Sequence, residues 1–187
     1  MGFFIGVYST ASYASDGLGL SQTQAAALQS IIGAGMMIGR PICGYCLDYY
    51  GRINSTIVLH CLSGIACLAI WLPSRSFRVL VLFALVQGFI GGTVWGATAP
   101  LTKSIVGTQD MASALSVFWV SLAVPACLAA PIAIWIVTAA QGDAPQRTAS
   151  HYAGSIAFCG CLYIAAGIAL LGSKRYKQQS WKLLQKV

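Results

Sequence analysis

Arg40 is the side chain in this sequence whose position most demands a chemical reason. It stands alone as a charge within the apolar stretch from Gln22 to Cys46. Counting eight residues back from Asp48 at about 1.5 Å per residue puts it roughly 12 Å inside a hydrocarbon core about 30 Å thick. An arginine at that depth costs about 2.5 to 3.5 kcal/mol on insertion scales, so such residues face a cavity or a partner. A guanidinium can grip a carboxylate through two parallel hydrogen bonds, which points to an organic anion. The alternative is an Arg40 that packs its stem and snorkels to the surface. All four acidic residues, Asp16, Asp48, Asp110 and Asp143, fall outside the apolar stretches. The counter-charge of Arg40 is therefore a substrate, a residue of another half, or water.

Other reactive types are sparse. His60 lies within an apolar stretch and either relays protons or makes a hydrogen-bonded packing contact. Tyr8, Tyr13 and Trp95 are candidate cavity liners by position and chemistry. Cys43-x-x-Cys46 is the one cysteine pair with metal or redox spacing. With no second pair and no neighbouring histidine, it reads as two small apolar residues, and no metal or cofactor is expected. No Ser, His and Asp set and no paired intramembrane carboxylates are present, so an enzyme is not expected. Gly33-Ala34-Gly35 lacks the preceding strand that a dinucleotide loop needs.

The elements that must hold these residues are membrane helices. The chain is 57% hydrophobic and 8% charged, and its mean hydropathy is +0.74, which excludes an ordinary soluble domain. Five stretches are long enough to span a bilayer: Gln22 to Cys46, Thr56 to Leu72, Phe77 to Leu101, Ala112 to Ala140 and Tyr152 to Gly172. Residues 1–14 form a shorter apolar stretch with no basic region before it, which reads as the second part of a helix and not as a signal peptide. The expected fold is an all-α polytopic bundle over residues 1–173, followed by a basic cytoplasmic tail over 174–187.

The net charge of +7 is topological and does not indicate nucleic acid, because the basic residues sit just outside apolar runs. Arg52, Lys103, Lys174, Arg175, Lys177, Lys182 and Lys186 fall on one side, against Arg75, Arg78 and Arg147 on the other. That bias puts the C-terminus in the cytoplasm. The Asn54-Ser55-Thr56 sequon then also lies in the cytoplasm and is a chance match. The tail can alternatively hold anionic headgroups. Nothing in the sequence chooses between a plasma and a vacuolar membrane.

Gly88, Gly92 and Gly96 recur at intervals of four, a stripe that lets another helix approach closely. It serves tight packing, or a helix that slides against its neighbour. Pro125 and Pro131 each remove a backbone donor and favour bends in the fourth span. The run Gly44-x-x-x-Asp48-x-x-Gly51-Arg52 places glycines in a tight loop, with an acid and a base available for pairing with helix ends.

This run resembles the loop signature of the major facilitator superfamily, found between the second and third helices of each six-helix half. With Gly39-Arg40-Pro41 upstream, it is similar to the eighth helix and following loop of a monocarboxylate-transporter-like protein. Gly91-Gly92-Thr93-Val94-Trp95 through Ala99-Pro100, Gly107, Ser113-Ala114-Leu115-Ser116, Pro125 and Pro131 resemble the tenth and eleventh helices of its fungal branch. The resemblance covers nearly the whole chain and implies a twelve-helix secondary transporter, of which this is the C-terminal half with its first helix truncated. It implies alternating access for a small organic anion, with a monocarboxylate as the candidate substrate and symport with protons as the candidate coupling. Gly44, Asp48, Gly51 and Arg52 would form the gating loop, and Arg40, Tyr8 and Trp95 would meet substrate. In the animal monocarboxylate carriers an aspartate lies one turn before the arginine, and here Met36 takes that place. The competing expectation is a non-transporting truncated protein, or a subunit that needs a partner half.

Overall fold

The computed structural model describes residues 1–142 and 144–184, without the side chains of Thr93, Val94, Ala97, Ser104, Ile105 and residues 173–184. Asp143 and the side chains of the basic tail, Lys174, Arg175, Lys177, Lys182 and Lys186 included, thus lie outside the described residues.

The described residues form an all-helical bundle. Helix α1 is Gly2–Ser12 and runs on as a wide π-turn at Tyr13–Gly17, α2 is Gln22–Tyr50, and α3 is Arg52–Ala66 followed by a π-turn at Cys67–Trp71. Then come α4 at Phe77–Gly91, α5 at Thr93–Val106, α6 at Met111–Gln141, a 3-10 turn at Ala149–Tyr152, and α7 at Ala153–Leu184. Among the described residues, four helical segments are long and apolar enough to cross a membrane: Gln22–Tyr50, Arg52–Trp71, Met111–Gln141 and Ala149–Gly172. They correspond to four of the five spans read from the sequence. The remaining one, Phe77 to Leu101, breaks at Gly92 into α4 and α5, and the helical path continues to Val106. The adjacent Gly91 and Gly92 each lower helix propensity by roughly 1 kcal/mol relative to alanine, which makes this the weakest point of the span.

Local sequence explains the helix ends. At the start of α2 the Ser21 hydroxyl accepts from the Gln24 backbone N–H, and the Gln24 side chain accepts from the Ser21 N–H, a reciprocal cap that satisfies two otherwise unpaired donors. Gly51, at φ +93°, is the single residue between α2 and α3, a conformation that side-chain-bearing residues avoid. Helix α6 continues through both Pro125 and Pro131.

Close approach through glycine fixes the bundle at two interfaces. Along the α2–α4 contact, a Cβ on Gly39 would lie 2.7 Å from Phe89 Cα and would also meet the Phe89 carbonyl, while a Cβ on Gly35 would lie 3.1 Å from Gly88 Cα. Along α3–α7, a Cβ on Gly64 would lie 2.9 Å from the Gly160 carbonyl oxygen, and one on Gly160 would lie 2.8 Å from Leu68 Cγ. At the end of the bundle that holds Asp16, Trp71 stacks on Phe83 at 4.8 Å and meets the edge of Tyr13 at 6.3 Å. The buried Tyr13 hydroxyl donates to the Ser74 carbonyl. These rings belong with Leu28, Ile32 and Leu80 to the main buried core.

Candidate substrate site

Arg40 occupies an exposed position on α2. Among the described residues it makes no hydrogen bond and no ion pair. Its direction follows from helix geometry. The buried stripe of α2 runs through Leu28, Ile32, Gly35, Gly39 and Cys43 and faces α4. Arg40 is turned about 100° from Gly39. Gln29, eleven residues earlier, is three turns away on nearly the same line, and its amide donates to the Val7 carbonyl of α1. Met36, one turn before Arg40, lies against Gly92 where α4 passes into α5. Arg40 therefore projects from the side of α2 along which α1 and α5 run, whereas the exposed Ile38 lies about 160° around the helix.

Three described acids lie at helix ends and leave the level of Arg40 without a carboxylate. Asp16 sits beside Arg147, with Nη1 to Oδ2 at 3.6 Å, and accepts from the Tyr152 hydroxyl at 3.3 Å. Asp48 pairs with Arg52 at 3.1 Å. Asp110 precedes α6. Arg52 also donates from Nη1 to the Pro100 carbonyl at 3.0 Å, so one guanidinium joins the end of α2 to α5. Gly44 and Gly51 in the same run have open space at the Cβ position.

Tyr8 and Trp95 meet the same ring. Phe4 stacks on Tyr8 with centroids 6.5 Å apart and presents an edge-on contact to Trp95 at 5.7 Å. Trp95 also touches Phe3 at 5.8 Å and stacks on Trp119 of α6 at 5.7 Å, with 21° between the planes. An aromatic seam thus joins α1, α5 and α6. Phe4 and Tyr8 are four residues apart on α1, so their pairing was readable from helical spacing; the meeting with Trp95 and Trp119 depends on tertiary packing. Of the glycine stripe, a Cβ on Gly88 would collide with the Ile32 carbonyl, and one on Gly92 would lie 2.7 Å from Met36 Cγ. Gly96 has open space around it.

Sequence reasoning missed a buried polar pair. Gln87 and Tyr163 are buried, and Gln87 Nε2 donates to the Tyr163 hydroxyl at 2.7 Å. His60 lies close by, with its ring centroid 6.1 Å from that of Tyr163, and its Nδ1 is 2.8 Å from the Thr56 carbonyl. Gln87 falls in a run with no helical polarity pattern, so nothing local marks it.

The model of the Major Facilitator Superfamily matches residues 1–186. The chain belongs to the Major Facilitator Superfamily. Among curated proteins, it is 29% identical to the "Probable transporter MCH2" of Saccharomyces cerevisiae over 150 residues, which is 80% of this chain and 32% of that protein. It is 32% identical over 171 residues to the "Uncharacterized transporter ESBP6" of the same yeast, covering 91% of this chain and 24% of that one. It is 33% identical over 125 residues to "Monocarboxylate transporter 12" of Xenopus laevis, covering 64% and 27%. The chain thus spans between about a quarter and a third of the length of these major facilitator relatives. Their names are those of transporters, and family and helices together make the chain an integral, multi-pass membrane protein.

Proposed function

We propose that the chain supplies the C-terminal six-helix half of an alternating-access transporter for a small organic anion, with Arg40 as the residue that binds the anionic group. The observation that carries this reading is Arg40 itself: a guanidinium without a protein partner among the described residues, in mid-helix, on the side of α2 that borders α1 and α5. Tyr8 and Trp95 line the route on the facing helices. Gly44, Asp48, Gly51 and Arg52 form the loop that latches α2 to α5 and releases it as the half rocks, and the close Gly88–α2 contact is the surface on which α4 moves. A monocarboxylate is the simplest ligand of this kind, since two parallel N–H bonds match its two oxygens.

With Met36 one turn before Arg40, the proposed cycle holds no coupling proton on that turn of α2, and in a symport the proton travels elsewhere. The C-terminus is cytoplasmic in this reading.

The test is uptake of a labelled small monocarboxylate into proteoliposomes containing the full chain, alone and with a six-helix N-terminal half of a relative. Transport is expected only with the partner. It is expected to fall about 10- to 100-fold in Arg40→Ala, the effect of losing a charge-assisted hydrogen bond of about 1.5 to 3 kcal/mol. Unchanged uptake in both Arg40→Ala and Arg40→Lys would overturn the site.

A further inference from the structure

A niche of about 10 Å³ lies where α3, α4 and α7 meet, with Thr56, His60, Ser63, Gly91 and Tyr163 among the residues that line it. Among the described residues, no Lys, Arg, Asp or Glu side chain lines it.

Two of its polar side chains are already committed. The Thr56 hydroxyl donates to the Arg52 carbonyl at 2.7 Å. A carbonyl oxygen only accepts, so His60 Nδ1, 2.8 Å from the Thr56 oxygen, carries the ring proton and spends it there. Two others have capacity left. Ser63 is 1% exposed, and its hydroxyl has no hydrogen-bond partner. The buried Tyr163 hydroxyl accepts from Gln87 at 2.7 Å, which leaves its own proton to be donated. Helix α4 ends beside them. In an unbroken helix the Trp95 N–H would bond the Gly91 carbonyl, but it bonds the Gly92 carbonyl instead, at 3.3 Å. The Gly91 carbonyl thereby loses its ordinary helical donor. A buried hydroxyl without a partner is costly enough that native structures rarely keep one, so the niche is equipped to receive a small polar group.

We infer that the niche binds one internal water molecule, which accepts the Tyr163 proton and bridges it to the Ser63 hydroxyl, with the Gly91 carbonyl as a further acceptor. Size sets the ligand: a buried water needs about 10 to 15 Å³ of such space and two to four polar partners, and the niche has room for one. Charge excludes a hard metal cation of similar size, which is held mainly by carboxylates, since no acid lines the niche. Position gives the water a task. It satisfies polar groups at the place where α4 breaks, as ordered water does where a membrane helix is interrupted. Arg40 takes no part, so the site stands or falls independently of the anion reading.

A double-mutant cycle, measured by reversible unfolding of the full chain in mixed detergent micelles, tests the bridge. The unfolding constant of Ser63→Ala with Tyr163→Phe is expected to rise about 3- to 10-fold less than the product of the two single effects, the coupling of two groups in one network. A Ser63 hydroxyl that bonds only a carbonyl of its own helix would give additive effects, and additivity would overturn the site. Water-edited solid-state NMR of the full chain in lipid bilayers reads the water directly. The Ser63 Cβ signal, identified by its loss in Ser63→Ala, is expected to draw magnetisation from water well before that of Ala84, which is fully buried on α4. Gly91→Ala puts a methyl 3.2 Å from the Tyr163 hydroxyl oxygen and is expected to remove the transfer, whereas Arg40→Ala is expected to leave it unchanged. Ser63 no more hydrated than Ala84, or a transfer that survives in a folded Gly91→Ala variant, would contradict the bound water. If Gly91→Ala fails to fold, the cycle and the comparison with Ala84 decide.

Discussion

Replacing Gly39 by alanine tests whether α2 is seated on α4 as described, and through that whether Arg40 points where the helix geometry puts it. The added Cβ would stand 2.7 Å from Phe89 Cα and against the Phe89 carbonyl. Backbone cannot swing aside as a side-chain tip can. To reach an ordinary carbon contact of about 3.5 to 4.0 Å the two helices must part by roughly 1 Å, and overpacking of this kind costs about 1 to 3 kcal/mol. Gly33 lies in the same helix but has nothing within 4 Å of its Cβ position. Both substitutions gain about 1 kcal/mol of helix propensity, so that term cancels when they are compared. Gly39→Ala is therefore expected to be about 1 to 3 kcal/mol less stable than Gly33→Ala. Reversible unfolding of the full chain in mixed detergent micelles, with far-ultraviolet circular dichroism as readout, measures the gap. Equal stabilities would refute the α2–α4 packing and, with it, the assigned direction of Arg40.

Further outcomes follow from the buried pair, the turn before Arg40 and the loop. Tyr163→Phe strips Gln87 of its hydrogen-bond partner and is expected to cost about 1 to 3 kcal/mol, whereas adding Gln87→Leu recovers most of that loss in the same unfolding assay. Met36→Asp puts a carboxylate four residues before Arg40, the spacing at which an acid and a base pair on a helix. At neutral pH it is expected to weaken anion binding by neutralising Arg40. Acidification protonates the carboxyl, frees the guanidinium and restores binding, as anion binding by the purified variant across a pH series would record. Arg52→Ala removes a half-exposed ion pair worth about 1 kcal/mol or less, so unfolding is expected to change little. Uptake with the partner half is expected to fall, because the bridge to Pro100 is also lost.

Hydropathy made the bundle legible because lipid imposes its requirement on every turn of a spanning helix. The break at Gly92 was less visible, since the same glycine spacing that permits a close helix contact also weakens the helix itself. The role of Gly35 and Gly39 as partners of that contact did not show, because a close approach depends on two surfaces and the sequence displays one at a time. The same holds for Gly64 and Gly160 between α3 and α7. At the candidate site, Arg40 stood out because burying charge in hydrocarbon is costly enough to be informative by itself. Tyr8 and Trp95 were legible as candidates by position and chemistry, as amphipathic rings in apolar stretches. Phe4, which touches both, carries no polar atom and looks like any other core residue. Gln87 and Tyr163 find each other across 76 residues, a separation over which spacing carries no signal.

The account depends on Arg40 facing water in a cleft beside α1 and α5. Arg40→Cys and Ile38→Cys, in a background without the native cysteines and reconstituted with the partner half, can be compared for their rate of reaction with a membrane-impermeant, negatively charged thiol reagent. The position of Arg40 is expected to react rapidly, while that of Ile38 stays inert in lipid. Inertness at 40, or equal reaction at both, would contradict the account.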